Sequence, residues 1–502
     1  MSRLSALVFF SVASLAAAAA PQRPNIVMFL VDDMGWQDTS VPFYKEVTPF
    51  NKRYRTPNME RLAAAGMKFT QAYANCVCSP TRVSLMTGMN AARHRVTNWT
   101  LRKDAAPDAK HPDLTMPDWN VNGLSPRAGI ERTVHADPLP ALLKNAGYHT
   151  IHVGKAHFGA VGTPGEDPKN LGFEVNIGGH AAGGVGSFLG TQNFSGAWRN
   201  ADRIWDVPGM EKYHGKEIFL TEALTLEALA AVERVLPEKK PFFLYMSHYA
   251  VHVPFAIDAR FYDRYKQMEL DDKEAMYSAM VEGMDKSLGD IVDFLEKRGL
   301  TKSTVILFMS DNGGICGSGR GGEPFTQNRP LSSGKGSAHE GGIRVPMIVK
   351  WPGVVRPASV CDVAVHIDDY FASILELAGL AGSKPRQVTD GSSFVPLLKQ
   401  VRGFPEDRPL YWHFPNHWGP KGPGLGPHST VRKGDWKLIY YHADRRYELF
   451  NLRQDIGETT NLAEQQPARV RDYATMLGAF LEKVQAQMPT DNKTGLTVLL
   501  PR

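Results

Sequence analysis

The residues able to do chemistry in this 502-residue chain fall in a few short segments. Asp32-Asp33 and Asp311-Asn312 each have a plain reading as a turn-and-cap pair. Together they offer three carboxylates and an amide oxygen, hard donors suited to Ca²⁺ or Mg²⁺. A third segment runs Cys76-Val77-Cys78-Ser79-Pro80-Thr81-Arg82 and continues to Thr87-Gly88. Ser79 suits an N-cap, Pro80 the first helical position and Gly88 the helix end. This predicts Cys78 just before a helix N-terminus, where free backbone N–H groups favour an anion, with Arg82 one turn on. A buried structural cysteine beside a well-capped helix fits the same residues. Lys155 and His157, then His248 and His252, then Lys335 among glycines complete the set.

These residues sit where strands should end. Asn25 to Val31 is a continuous apolar run, read as a strand covered on both faces, with Asp32-Asp33 at its end. Tyr148 to Val153 leads to Lys155 and His157, Pro241 to Met246 leads to His248 and His252, and Thr304 to Met309 leads to Asp311-Asn312. Helices are predicted from Thr56-Pro57 to Gly66, with Thr56 as N-cap, over Pro140–Ala146 and Glu217–Leu236, and as an amphipathic helix over Asp272–Lys297. Strands alternating with helices indicate a mostly parallel α/β sheet, which binds ligands beyond the carboxyl ends of its strands. The Gly-rich stretch from Gly159 to about Gly215 lacks periodicity and reads as a long functional insertion. Residues 383–409, rich in Pro, Arg and Gly, read as a linker. Beyond it, Trp436–Tyr441 and Tyr447–Leu452 predict an antiparallel hairpin, and Val470 to Val484 a terminal helix.

Bulk properties narrow the class. A net charge of +5 is small for this length, and the basic residues are scattered, which excludes a nucleic-acid stripe. Arg3, the apolar run Leu4 to Leu15 and the small residues Ala16 to Ala20 describe a secretory signal peptide over residues 1–20. The run is too short for a bilayer span, so a secreted or periplasmic protein with no stable membrane anchor after cleavage is expected. Four cysteines are too few for a disulfide scaffold.

Positions 78–88 resemble the signature of the type I sulfatase family, Cys-x-Pro-x-Arg followed by a short helical extension ending in Thr-Gly. The likeness runs from Pro24 to about Leu462. Thr81 departs mildly from the commoner small residues, and Cys76 lies outside the pattern and reads as packing. The resemblance implies an alkaline-phosphatase-like fold: a large mixed, mostly parallel sheet flanked by helices over 24–395, and a smaller C-terminal α+β subdomain with an antiparallel sheet over 405–502. It implies that a formylglycine-generating enzyme oxidises Cys78 to formylglycine. It assigns Asp32, Asp33, Asp311, Asn312 and an oxygen of residue 78 to one divalent cation, usually Ca²⁺, with Mg²⁺ an option. Gly154-Lys155-Ala156-His157 matches a Gly-Lys-x-His segment, which gives Lys155 a sulfate oxygen and His157 a formylglycine hydroxyl. His252 before x-Pro and Lys335 in Gly334-Lys335-Gly336 match the remaining sulfate-binding positions. The implied reaction is sulfate ester hydrolysis through a sulfo-enzyme intermediate, with Arg82, Lys155 and Lys335 stabilising charge. His252 is preferred over Lys335 as proton donor, because an ordinary imidazole pKa lies nearer neutrality.

A sulfated saccharide is the first choice of substrate, with Arg95, Asn98, Trp99, His180, His413 and His428 as residues that could complete its pocket. Two alternatives share much of this pattern. One is a phosphonate or phosphodiester hydrolase of the same superfamily, and the other a non-catalytic glycan-binding protein that never receives formylglycine.

Overall fold

The computed structural model describes residues 23–502, so the segment read as a signal peptide lies outside the described residues. The core is one nine-stranded sheet. Its strands are β1 (Asn25–Val31), β2 (Met67–Tyr73), β3 (His149–Gly154), β4 (Val175–Ile177), β5 (Phe242–Ser247), β6 (Thr304–Ser310), β7 (Arg344–Lys350), β8 (Ser359–Cys361) and β9 (Val365–His366). The order is β8-β2-β7-β6-β1-β5-β3-β4, with β9 also pairing β2. Only β7 runs against the rest. Every residue of β1, β5 and β6 is buried, as the unbroken apolar runs require of central strands covered on both faces.

Helices pack on both faces: α1 (Pro57–Ala65), α2 (Cys78–Thr87), α3 (Leu220–Val235), α4 (Asp272–Lys297) and α5 (Asp368–Leu377). Met280, Met284, Leu288, Ile291 and Leu295 of α4 join one buried apolar cluster with β1, β5 and α3. The other face is sealed by α2 and α5. No helix among the described residues is long and apolar enough to cross a membrane.

Three local expectations are corrected. Helix α2 starts at Cys78 itself, with Val77 as N-cap, and the Ser79 hydroxyl instead accepts from the Thr100 N–H at 3.2 Å. Pro80 is tolerated because N–H groups of a first helical turn have no intrahelical partner. Thr56 does not cap α1 with its side chain. Asp285 of α4 does, accepting from the backbone N–H groups of Asn58 and Met59. Residues 383–409 are not a solvated linker: Phe394, Val395 and Leu398 are buried in the main core, and Arg93 pairs with Asp390 at 2.7 Å.

The C-terminal part is an antiparallel sheet of four strands rather than two: β10 (Leu410–Phe414), β11 (His428–Lys433), β12 (Trp436–Tyr441) and β13 (Tyr447–Asn451). Helix α6 (Pro467–Lys483) packs Ala474, Leu477 and Leu481 against Val431, Leu438 and Leu449. Trp412 of β10 donates its indole N–H to the Ala74 carbonyl at 2.8 Å, which fixes this sheet beneath the segment leading to Cys78.

Candidate active site

Strand register brings the site together. Leu30 pairs with Ser247, Val31 with Ser310 and Gly154 with Ser247, so β1, β3, β5 and β6 all end at one level. The next residues are Asp32, Lys155, His248 and Asp311. The turns are tied to each other: Asp311 N–H donates to the Val31 carbonyl at 3.0 Å and Lys155 N–H to the Ser247 carbonyl at 2.7 Å. Because β7 runs the other way, the loop preceding it arrives at the same rim. There Lys335 N–H donates to the Gly314 carbonyl, and Gly336 N–H to the Cys76 carbonyl.

Asp32, Asp33 and Asp311 are fully buried and present carboxylate oxygens within 4.8 Å of one another. Asp32 Oδ1 and Asn312 Oδ1 are buried without a hydrogen-bond partner. Buried polar atoms are normally paired, and three crowded carboxylates repel, so this donor set fits a hard divalent cation. The electrostatics divide the pair. Burial, then the Asp311 and Asp33 charges, hold Asp32 well above the usual carboxylate range. Burial also pushes Asp33 up, but Lys335, His252 and Lys155 outweigh it and bring it to about 2.

Cations surround these carboxylates. Lys155 Nζ lies 2.6 Å from Asp32 Oδ2, and Lys335 Nζ 2.7 Å from Asp33 Oδ1. Arg82 is fully buried; it donates to Asp311 Oδ2 from Nε at 3.0 Å and Nη2 at 2.8 Å, and to the Ser247 hydroxyl at 2.6 Å. Burial opposes the Arg82 charge but Asp311 overcomes it, so the guanidinium is a fixed cation. Burial raises the Cys78 thiol while Lys155 and Lys335 pull it down, with a net rise.

The two histidines have defined tautomers. His157 donates from Nε2 to the Thr100 carbonyl at 2.7 Å, which leaves Nδ1 as the acceptor nitrogen, buried without a partner. His252 donates from Nδ1 to the Val253 carbonyl at 2.7 Å, with Nε2 3.6 Å from Asp33 Oδ2. Burial, then nearby lysines, lower both imidazoles well below their ordinary value. The premise of an ordinary pKa for His252 as proton donor therefore does not hold at this position, whereas Asp33 keeps Lys335 charged above its usual range. Asp33 and His157 both adopt left-handed backbone, at φ 60° and 56°, a strain commonly stored at functional positions.

A cavity of about 610 Å³ reaches Cys78, His157, His252 and Lys335, a volume suited to a small ligand. Its walls are largely apolar and include Trp99, Trp205, Phe325 and Trp418. Of the residues expected to complete a pocket, only Trp99 lines this cavity. Arg95 donates to the Gln485 carbonyl, and Asn98 is buried against Asp108. His180 serves through its carbonyl, which accepts from His157 N–H at 3.2 Å. His413 is held by Ser429, and His428 lies 3.6 Å from the Cys76 sulfur, both within the C-terminal sheet's packing. Sequence reasoning missed Ser247, which anchors Arg82, and the glycines 183 and 184. A Cβ built at Gly183 would lie 2.2 Å from His157 Cε1, so only glycine lets that loop approach. The aperiodic, Gly-rich character of 159–215 was the available signal.

A mostly parallel sheet carrying carboxylates, amines and imidazoles at one rim is the alkaline-phosphatase-like arrangement of hydrolases. The chain belongs to the sulfatase family: the Sulfatase model matches residues 24–380, and the model for the C-terminal part of N-sulphoglucosamine sulphohydrolase matches residues 334–487. It is a sulfuric ester hydrolase. It is 31% identical to a sulfatase of Formosa agariphila, over 90% of this chain and 86% of that protein. It is 33% identical to the N-acetylgalactosamine-6-sulfatase of Mus musculus, over 81% and 72%. Among solved structures, Ps i-CgsB in complex with k-i-k-neocarrahexaose superposes with a TM-score of 0.71 at 26% identity, covering 92% of this chain and 93% of that one.

Proposed function

We propose that this enzyme removes sulfate from a sulfated saccharide, using Cys78 matured to formylglycine as its nucleophile together with a divalent cation, Ca²⁺ in the first instance. The observation that carries the reading is the position of Cys78. It begins a helix on the wall of a ligand-sized cavity that also holds Lys155's neighbour His157, His252 and Lys335, beside three buried carboxylates. The saccharide class is supported by relatives named for N-acetylgalactosamine-6-sulfate hydrolysis and by the neocarrahexaose complex of a structural relative. The phosphonate monoester hydrolase of Agrobacterium radiobacter, at 20% identity and a TM-score of 0.62, shares the fold alone.

Asp32, Asp33, Asp311 and Asn312 would hold the cation with an oxygen of residue 78, and it would supply Lewis acidity and neutralise charge on a sulfate oxygen. Formylglycine, as its hydrated aldehyde, would supply one hydroxyl for attack on sulfur and a second through which the aldehyde is restored, which neither Cys nor Ser can offer. Arg82 fixes Asp311 and binds Ser247, so it orients the rim rather than the substrate. The Lys155 and Lys335 amines neutralise charge growing on the sulfuryl oxygens. His157, with Nδ1 free to accept, takes a proton from residue 78. The departing alcohol oxygen takes its proton from Lys335, the amine that Asp33 keeps charged, while His252, with Nδ1 bound to the Val253 carbonyl, offers Nε2 to the substrate as an acceptor. Export to a secreted or periplasmic location follows from the basic, then apolar, N-terminus.

A panel of defined sulfated saccharides and matched sulfate and phosphate esters tests the reading. Desulfation of at least one saccharide, with the sulfate ester preferred over its phosphate counterpart, is expected. Preference for the phosphate or phosphonate ester would move the assignment to the alternative hydrolase class.

A further inference from the structure

Arg199 stands apart from Arg203, the other arginine of its loop. Asp202 and Asp206, its neighbours in sequence, are paired with Arg102 and Arg203. Arg199 has no carboxylate within ion-pair distance among the described residues. Its Nη1 donates to the Val185 carbonyl at 3.0 Å, and its guanidinium lies 4.2 Å above the Trp205 ring. Both Arg199 and Trp205 line the cavity that reaches Cys78. The guanidinium is also next to the reacting groups: a Cβ built at Gly184 would lie 2.9 Å from Arg199 Nη1 and 3.4 Å from His252 Cε1. A partly buried guanidinium has five N–H donors and prefers an oxyanion in their plane. Here one bond to a neutral carbonyl and one aromatic face leave that preference unmet, and burial alone draws the Arg199 pKa down.

We infer that Arg199, held over the Trp205 ring near His252, binds a second oxyanion of the saccharide that carries the scissile sulfate, so that the preferred substrate is a multiply anionic sugar. This rests on the saccharide sulfate reading above. The second group is a further sulfate or a carboxylate, since both present the coplanar oxygens a guanidinium bridges. The largely apolar remainder of the cavity lets this one cation discriminate, because a neutral hydroxyl at the same point cannot replace the charge-assisted bond.

The test reads binding first. Calorimetry on the Cys78→Ala protein compares saccharides identical except for one added sulfate, or one carboxylate in place of a hydroxymethyl group. The added anion is expected to tighten binding about 10- to 100-fold. The larger gain in the two arms identifies the group. In the Cys78→Ala/Arg199→Gln protein the gain should fall to within about twofold, and Arg199→Lys should restore part of it. Equal loss of affinity for both members of a pair would make Arg199 a merely structural residue and overturn the inference. So would a gain that survives Arg199→Gln. Absence of desulfation by the mature wild-type enzyme would instead remove the catalytic reading, while the binding ratio still decides the role of Arg199.

Discussion

At the scale of single residues, the site is built as much by what is missing as by what is present. His157 can hold its place in the cavity wall that also carries Cys78 only because residue 183 has no side chain, its ring lying 2.2 Å from where a Cβ would be. Gly183→Ala should therefore displace the imidazole and lower kcat by about 100-fold, the order of loss that follows a misplacement of roughly 1 Å. Circular dichroism should stay native, and unchanged kcat would mean that His157 is not the proton acceptor. The unpartnered Oδ1 of Asn312 makes a second prediction. Asn312→Ala removes one oxygen donor, and calcium affinity by calorimetry should weaken at least about tenfold. Equal affinity would place the cation elsewhere. Asp32, Asp33, Asp311 and Asn312 were legible in the sequence because each follows an unmistakable apolar strand. Trp205, Arg199 and Trp418 were not, because they come from aperiodic loops that only the fold brings to Cys78.

At the scale of elements, the reversed strand β7 matters most. It carries Pro346 at a register shift between Val345 and Met347, the kind of irregularity where a residue without an N–H can be accommodated. That proline masks the strand in the sequence, and β8 and β9 are too short to leave a pattern. The long helix α4 was readable from its helical periodicity, and β1, β3, β5 and β6 from fully buried runs that extend over whole elements. The loop before β7 is clamped by a buried ion network in which Lys437 Nζ lies 3.0 Å from Glu340 Oε1 and 2.5 Å from Glu458 Oε1. Arg344 also pairs with Glu340, at 3.1 Å. Lys437→Met would leave Glu458 without its amine and Glu340 with less compensation. Urea unfolding should report a loss of about 3–5 kcal/mol, the usual cost of breaking a buried pair. A loss under about 1 kcal/mol would mean the clamp is not needed, as when a buried pair merely breaks even.

At the scale of the whole molecule, stability should depend on pH through its buried imidazoles. Burial lowers His94, His413 and His428 to about 4 and His152 to about 3. Their unfolded value is about 6.5. Between these limits the unfolded chain binds protons that the folded one refuses, so stability rises with pH and is lost as pH falls below about 6.5. Asp285, raised by burial to about 6, works in the opposite direction, as do Asp32, Asp369 and Glu458, also raised by burial, but His180, His248 and His442 are lowered by burial too and add to the first four. The thermal midpoint should drop clearly between pH 7 and pH 5, with net proton uptake on unfolding. A flat midpoint would contradict it. The division of the chain was readable only in outline. The hairpin Trp436 to Leu452 and the last helix were evident, whereas the buried helix within 383–409 was hidden by the Pro, Arg and Gly around its four apolar residues.

The catalytic reading turns on residue 78. The most direct test is the mass of the peptide containing residue 78 from active enzyme, paired with the activity of the same preparation. The expected peptide is lighter by the exchange of sulfur for oxygen and the loss of two hydrogens, in a fraction that rises and falls with sulfatase activity. Full activity from protein in which residue 78 is entirely unmodified cysteine would contradict it.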